Sequence, residues 1–219
     1  MPLKQLLLIL CLITVGLVHS QPHGVSKKVA LTISPVVLPL PQLPLSLQPG
    51  FQYSTSRWSI HAEATAPLYR ARDQYNTVHY TRLALEGKRY LQPKSNENFY
   101  IAVQSSYAFR SLTDTNGGRF FRHDPLDRYS YTKANINSPV FIIAAKMGTE
   151  TPVSNRLFFD FFVGPGVRII YTTYSDVAEE ARVPERWFSH IGPISSYRYN
   201  KTITRLHLAT GLRLGYILK

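Results

Sequence analysis

The stretch "TRLHLATGLRLGYILK", residues 204–219, repeats with a period of two. Leu206, Leu208, Thr210, Leu212, Leu214, Tyr216 and Leu218 fall on one face of an extended strand. His207, Ala209, Gly211, Arg213, Gly215 and Ile217 fall on the other. Successive strand side chains point to opposite sides, so such a segment has one apolar face to cover. Seven further runs read the same way: "VALTISPVV", "LSLQPGFQY", "WSIHAEATA", "VHYTRLALEGKRY", "NFYIAVQSSYAF", "PVFIIAAKM" and "LFFDFFVGPGVRIIYT". No stretch of useful length after the N-terminus has the helical period. The abundance of Tyr (14) and Phe (11) points to strands as well. Eight alternating runs predict an all-β chain.

The two faces differ in a way that decides what surrounds them. One is bulky, apolar and aromatic near run ends: Tyr53, Trp58, Phe99, Phe109, Tyr171 and Tyr216. The other is Gly, Ala and Ser with isolated charges, which suits the inside of a narrow tube. Aromatic ends, an apolar outside and a small polar inside over runs of about ten residues are the pattern of transmembrane barrels. Only a closed sheet is stable in lipid, because it leaves no strand edge unpaired. The expected fold is therefore a closed eight-stranded antiparallel transmembrane β-barrel.

The connections support an up-and-down order. "STSR", "LQPKSNEN" and "GTETPVSN" are short turns, whereas 111–138 and 173–202 are long loops, and the two kinds alternate. Long loops without structure are unusual in compact domains; here they would share one end. "VLPLPQLPL" (37–45) is a Pro-rich exception. Proline removes a ladder donor, so Pro35, Pro49 and Pro165 interrupt their runs, and "GPG" (164–166) predicts a bulge or kink.

At the N-terminus, Lys4 precedes the apolar run 5–18, and Ser20 offers a small residue for cleavage. These features predict a secretory signal peptide over 1–20, leaving 21–219 as the barrel domain. Cys11, the single cysteine, lies in the apolar run, so the exported chain carries no disulfide. The net charge of +12 is scattered along the chain without a block of like charges, which argues against a nucleic-acid partner.

With these features the chain resembles the small eight-stranded outer-membrane barrels of the OmpA/OmpX-like kind, in particular the short barrels of unknown role in Bacteroidota. The resemblance rests on the leader, the eight runs, the alternation of turns and loops, stretches such as "LALEGKRYL" and the final strand. It implies residence in the outer membrane of a Gram-negative bacterium with both termini periplasmic. Outer-membrane lipid is then the constant partner. Such barrels usually end in an aromatic residue, whereas this chain ends "GYILK".

Candidate sites follow from the faces. Glu63, Arg82, Glu86, Asp160, Arg168, Arg205 and Arg213 would lie inside. Eight strands enclose just enough room for side chains, so a paired network filling the interior outweighs a pathway. Asp160 should meet Arg213, Glu63 should meet Arg82, and Glu86 should lie within reach of Arg213 or Lys88. The long loops mix Arg with aromatics at Arg119, Phe120, Phe121 and Arg122, and again at Trp187, Phe188, Tyr197 and Tyr199. Such composition suits a surface that binds an extracellular ligand or protein. It suits equally a cluster of rings packed on one another above the rim. His61, His79, His123, His190 and His207 lack metal-ligand spacing, so no metal or cofactor is expected.

The expected function is that of a non-enzymatic integral outer-membrane protein with a structural or loop-mediated binding role. One alternative is a membrane-embedded lipid A-modifying hydrolase or acyltransferase, with Ser189, His190, Ser195 and Ser196 as its candidates. Another is a soluble secreted barrel that binds an apolar ligand.

Overall fold

The computed structural model describes residues 28–35, 46–67, 72–73, 76–91, 98–115, 117–121, 128–178, 180–182 and 200–218. The expected leader, the Pro-rich segment 37–45, most of "LQPKSNEN", and Arg122, Trp187, Phe188, Tyr197 and Tyr199 lie outside these residues, as do Ser189, His190, Ser195 and Ser196.

All regular structure described is β. The strands are β1 (Lys28–Pro35), β2 (Ser46–Ser54), β3 (Trp58–Pro67), β4 (Arg72–Asp73), β5 (Asn76–Tyr90), β6 (Asn98–Asp114) and β7 (Gly118–Phe121). They continue with β8 (Arg128–Tyr131), β9 (Lys133–Asn137), β10 (Val140–Pro152), β11 (Leu157–Tyr171), β12 (Thr173–Ala178), β13 (Ala181–Arg182) and β14 (Thr202–Leu218). The eight alternating runs of the sequence are β1, β2, β3, β5, β6, β10, β11 and β14. These eight form a ring of antiparallel pairs, because β6 pairs with both β5 and β10 while β14 joins β11 to β1.

The ring can be followed through its paired residues. Ile217 faces Ala30, Ala30 faces Gln52, Gln52 faces His61, and His61 faces Glu86. Glu86 faces Gln104, Gln104 faces Ala144, Ala144 faces Gly166, and Gly166 faces His207. The circuit returns to β14 ten residues from its start, at His207 instead of Ile217. A stagger of this kind goes with strands tilted by roughly 35–45° to the axis.

Along each strand, burial alternates with the sequence pattern. Tyr100, Ala102, Gln104, Ser106 and Ala108 of β6 are buried, while Phe99, Ile101, Val103 and Phe109 are exposed. The outward positions of the ring are dominated by large apolar side chains, with Met147 at 64% and Leu206 at 89% exposure. Among the described outward positions of the ring strands, Arg89 alone carries a full charge, and it stands opposite Trp58 at the end of its strand.

Three expectations need correction. The segments 111–138 and 173–202 are not structureless. β6 runs on to Asp114, and β9 and β12 extend the sheet beyond the ring. A second, three-stranded sheet of β7, β8 and β13 accompanies them. Next, "GTETPVSN" is mostly strand. β10 reaches Pro152, and the turn back to β11 is closed by Val153 N–H and Ser154 N–H donating to the Leu157 carbonyl. Finally, "GPG" is not a bulge. β11 keeps one register with β14 from Leu157 to Tyr171, straight through Pro165. Its ladder with β10 lapses opposite Ala145 and Lys146 and resumes in the same register at Met147 and Val163. Pro49 has the same effect on the β2–β3 ladder, which lapses between Leu47 and Gly50 without shifting. The lost donor costs ladder hydrogen bonds while the neighbouring pairs hold the alignment.

Glycines on the inner face make room for rings. Phe162 of β11 lies between Gly148 of β10 and Gly211 of β14 in the pairing. A Cβ on Gly211 would stand 2.5 Å from the Phe162 ring. Gly211→Val should therefore overpack the interior and lower stability by about 1–3 kcal/mol. Gly87→Ala, where a Cβ meets nothing within 4 Å, should stay within about 0.5 kcal/mol of the parent. Denaturant unfolding of the two variants measures the contrast.

Candidate functional site

The inner face at mid-height is a network of charges from β3, β5, β10, β11 and β14, joined by polar side chains from β2 and β6. Its hub is Arg213 of β14. One guanidinium nitrogen, Nη1, donates to Glu86 Oε1 at 2.9 Å and Asp160 Oδ2 at 3.0 Å. Nη2 donates to Glu86 Oε2 at 3.1 Å, and Nε reaches Glu63 Oε2 at 3.4 Å. The fork on Glu86 is bidentate, the strong form of charge-assisted hydrogen bond.

Lys88 holds the lower part together. Its Nζ donates to Glu150 Oε1 and Asp160 Oδ2, both at 2.7 Å, and to Gln52 Oε1 at 3.2 Å. Glu150 also accepts from Gln52 Nε2 at 2.9 Å and from the Tyr90 hydroxyl at 2.8 Å. The Tyr100 hydroxyl donates to Asp160, and Lys146 donates to Glu86. On β3, His61 Nε2 and Thr32 Oγ1 of β1 share a hydrogen bond of 2.7 Å.

Aromatic faces complete the cation coordination. Lys146 Nζ sits 3.9 Å and the Arg213 guanidinium carbon 4.3 Å from the Phe162 ring centroid. Such contacts strengthen when the cation is out of water.

The arrangement is balanced. Four carboxylates, Glu63, Glu86, Glu150 and Asp160, meet four cations, Arg82, Lys88, Lys146 and Arg213. Burying a charge is tolerable only when it is paired and hydrogen-bonded. Here Glu86, Lys88, Asp160 and Arg213 are at most 2% exposed.

The structure brings together Asp160 with Arg213, and Glu63 with Arg82 at 3.5 Å. It also brings Glu86 to both Arg213 and Lys88, the latter at 3.8 Å. It leaves Arg168 and Arg205 apart from this network. They stand opposite each other near the end of the ring where β9 and β12 attach. Sequence reasoning did not assign Lys146, Glu150, Gln52, Tyr90 and Tyr100 to the network. The alternation on β10 carries a signal for two of them, because Ala144, Lys146, Gly148 and Glu150 share one parity. Reading a turn from Gly148 onward hid Glu150.

In the long loops, Arg119 is exposed, but Phe120 is not available to a partner. It is 1% exposed and forms a core with Tyr131, Ala134 and Ile136. Its ring stacks on Tyr174 at 4.4 Å and on Tyr129 at 5.8 Å. The sheet of β7, β8 and β13 thus buries Phe120 against β9 and β12. Burial, with the hydrogen bond that Tyr131 donates to Asp114 at 2.8 Å, pushes the Tyr131 hydroxyl above its ordinary range. Phe121 is the last residue of β7.

Among the described residues, no group of three or more His, Cys, Asp or Glu side chains could hold a metal ion. No helix among them is long and apolar enough to cross a membrane, which says nothing of strands. No protein-family model and no curated protein sequence matches the chain.

Removing one member of a buried pair leaves its partner uncompensated at a cost of about 3–5 kcal/mol. Asp160→Ala and Arg213→Ala should each destabilise on that scale, and the double variant should lose less than the sum. Equilibrium unfolding of the four proteins closes the cycle. Strict additivity would contradict the direct coupling.

Proposed function

We propose that the protein is an integral outer-membrane β-barrel with a structural or loop-mediated binding role and no catalytic one. One observation carries the reading: an apolar outward face on a ring whose charges point inward. In a protein surrounded by water the arrangement would be reversed. Leu31, Phe51, Leu83, Ile101, Val103, Phe109, Phe161, Leu206 and Leu208 are all well exposed. That is more contiguous apolar surface than soluble monomers carry, and lipid acyl chains are the partner that covers it. A closed ring suits lipid because each ring strand finds a neighbour on both sides. Aromatic side chains near the strand ends, Trp58, Phe99 and Tyr216 at one end and Phe109 and Tyr171 at the other, suit the two membrane interfaces.

The leader read over 1–20 supplies the export route that an outer-membrane location requires. The extension of β6, β9 and β12, with the second sheet packed on it through Phe120, then forms a folded platform at the extracellular end. Exposed Arg119 belongs to that side, and a binding role falls to it. Phe120 holds the platform together.

In this reading the protein partitions with outer membranes, needs detergent to stay in solution and migrates differently on gels before and after boiling. Cell fractionation followed by that gel comparison is the test. Recovery as a soluble monomer without detergent would contradict it.

A further inference from the structure

The outward apolar face is not uniformly convex. Ile33 of β1, Leu47 of β2, Phe159 of β11, and Leu212 and Leu214 of β14 line a crevice of about 240 Å³. Every side chain lining it is apolar. The four strands are consecutive in the ring, in the order β11, β14, β1, β2. Leu214 stands at the centre, facing Phe159 on one side and Ile33 on the other. Among the described residues the β1–β14 ladder ends at that pair, so Leu212 has Phe161 opposite it on β11 and no paired residue on β1. Ile33, Leu47 and Leu214 are 36–39% exposed, against 89% for Leu206 farther along β14, as walls of a recess should be. Two residues past Leu214, towards the short-turn end, the Tyr216 hydroxyl accepts a hydrogen bond from Arg156 Nη1 at 3.0 Å. The backbone fixes Arg156 there as well. Its carbonyl accepts from Ile217 N–H at 2.7 Å, and Ser154 Oγ accepts from the N–H groups of Arg156 and Leu157 at 3.3 and 3.1 Å. Arg156 is exposed, and among the described residues its other guanidinium N–H groups have no partner. Leu212 and Tyr216 are about 13 Å apart along the strand, so the crevice runs from the rim into the wall.

We propose that the crevice and Arg156 form a site for one phospholipid of the membrane, with an acyl chain in the crevice and the phosphate on Arg156. The inference rests on the membrane reading above and narrows it from a general lipid face to a particular lipid site. The order of chemistry along the wall is the order within a phospholipid. A cation and a phenol hydroxyl stand at the rim, where headgroups and interfacial aromatics lie, and an apolar recess follows towards the hydrocarbon. The hydrogen bond to Tyr216 engages one guanidinium nitrogen and leaves the other N–H groups to form charge-assisted bonds to phosphate oxygens. A chain laid in the recess touches side chains of four strands at once. On the convex part of the wall it would touch fewer.

The test uses the full chain in maltoside micelles, which carry no phosphate. Native mass spectrometry counts lipids retained during titration with dioleoyl phosphatidylglycerol, and in parallel with dioleoylglycerol, which has the same chains and no phosphate. One phosphatidylglycerol should be retained ahead of any others, and dioleoylglycerol should bind more weakly. Arg156→Gln should weaken the first binding event about tenfold or more. Leu212→Trp, which fills the crevice with an apolar ring, should weaken it too. Arg57→Gln, an exposed arginine at the same end, and Ile143→Trp, outward on β10, should leave it unchanged. Circular dichroism confirms that each variant keeps its strands, and Arg156→Gln, on an exposed turn, carries the test if Leu212→Trp does not fold. A statistical spread of retained lipids, with no first event, overturns the site. So does retention that survives Arg156→Gln and Leu212→Trp, which is the behaviour of lipid coating the whole face. Equal retention of dioleoylglycerol overturns the phosphate contact. If the protein dissolves without detergent, the membrane reading falls, and the same titration in buffer with dihexanoyl phosphatidylglycerol still reads the site.

Discussion

Arg213 sits out of water with three strands pointing acceptors or a ring at it, and much of the ring depends on that arrangement. Glu63 comes from β3, Glu86 from β5, and Asp160 and Phe162 from β11. A buried guanidinium without these partners would cost more than a small domain can spare. With them it ties the final strand to strands on the far side of the interior. Lys88 does the same lower down, joining β5 to β2, β10 and β11. Slipping any of these strands by one residue would carry its charge to the outside and its leucines or phenylalanines to the inside. The network is therefore a register lock as well as a filling.

Closure and patterning reinforce each other. A ring pairs each of its strands on two sides, and its stagger tilts them. The inner surface is then narrow, and small residues must alternate with large ones. The sequence meets that need with Gly148 and Gly211 flanking Phe162, and with Gly215 opposite Phe158. Prolines in β2 and β11 remove donors without moving the register, because the strands on the other side of each stay fully paired. The outward face is left with apolar side chains and Arg89 at a strand end.

How much of this was legible in the sequence differs by level. The eight ring strands, and the face on which each residue lies, follow from the two-residue period alone, since strand geometry leaves no other choice. The pairing of Asp160 with Arg213 followed from parity and the up-and-down order of β11 and β14. Glu150 was missed because Gly148 and Pro152 look like turn residues, although β10 accommodates both. Phe120 was misjudged for a related reason. An aromatic residue in a long connection looks like a contact residue until the connection folds a core of its own, here with Tyr131, Ala134 and Ile136. Pairing between β6, β9 and β12 brings together residues distant in sequence, and no local pattern in the connection announces it.

The central claim is that outward residues meet lipid while inward residues meet the charge network. Nuclear Overhauser contacts between protein methyl groups and lipid acyl chains, measured on the protein in nanodiscs, test it most directly. The account predicts strong acyl contacts at Leu31, Val103, Val163 and Leu208, and none at Ala30, Ala102 and Ala144. Acyl contacts at those three alanines, or their absence at the four outward residues, would contradict it.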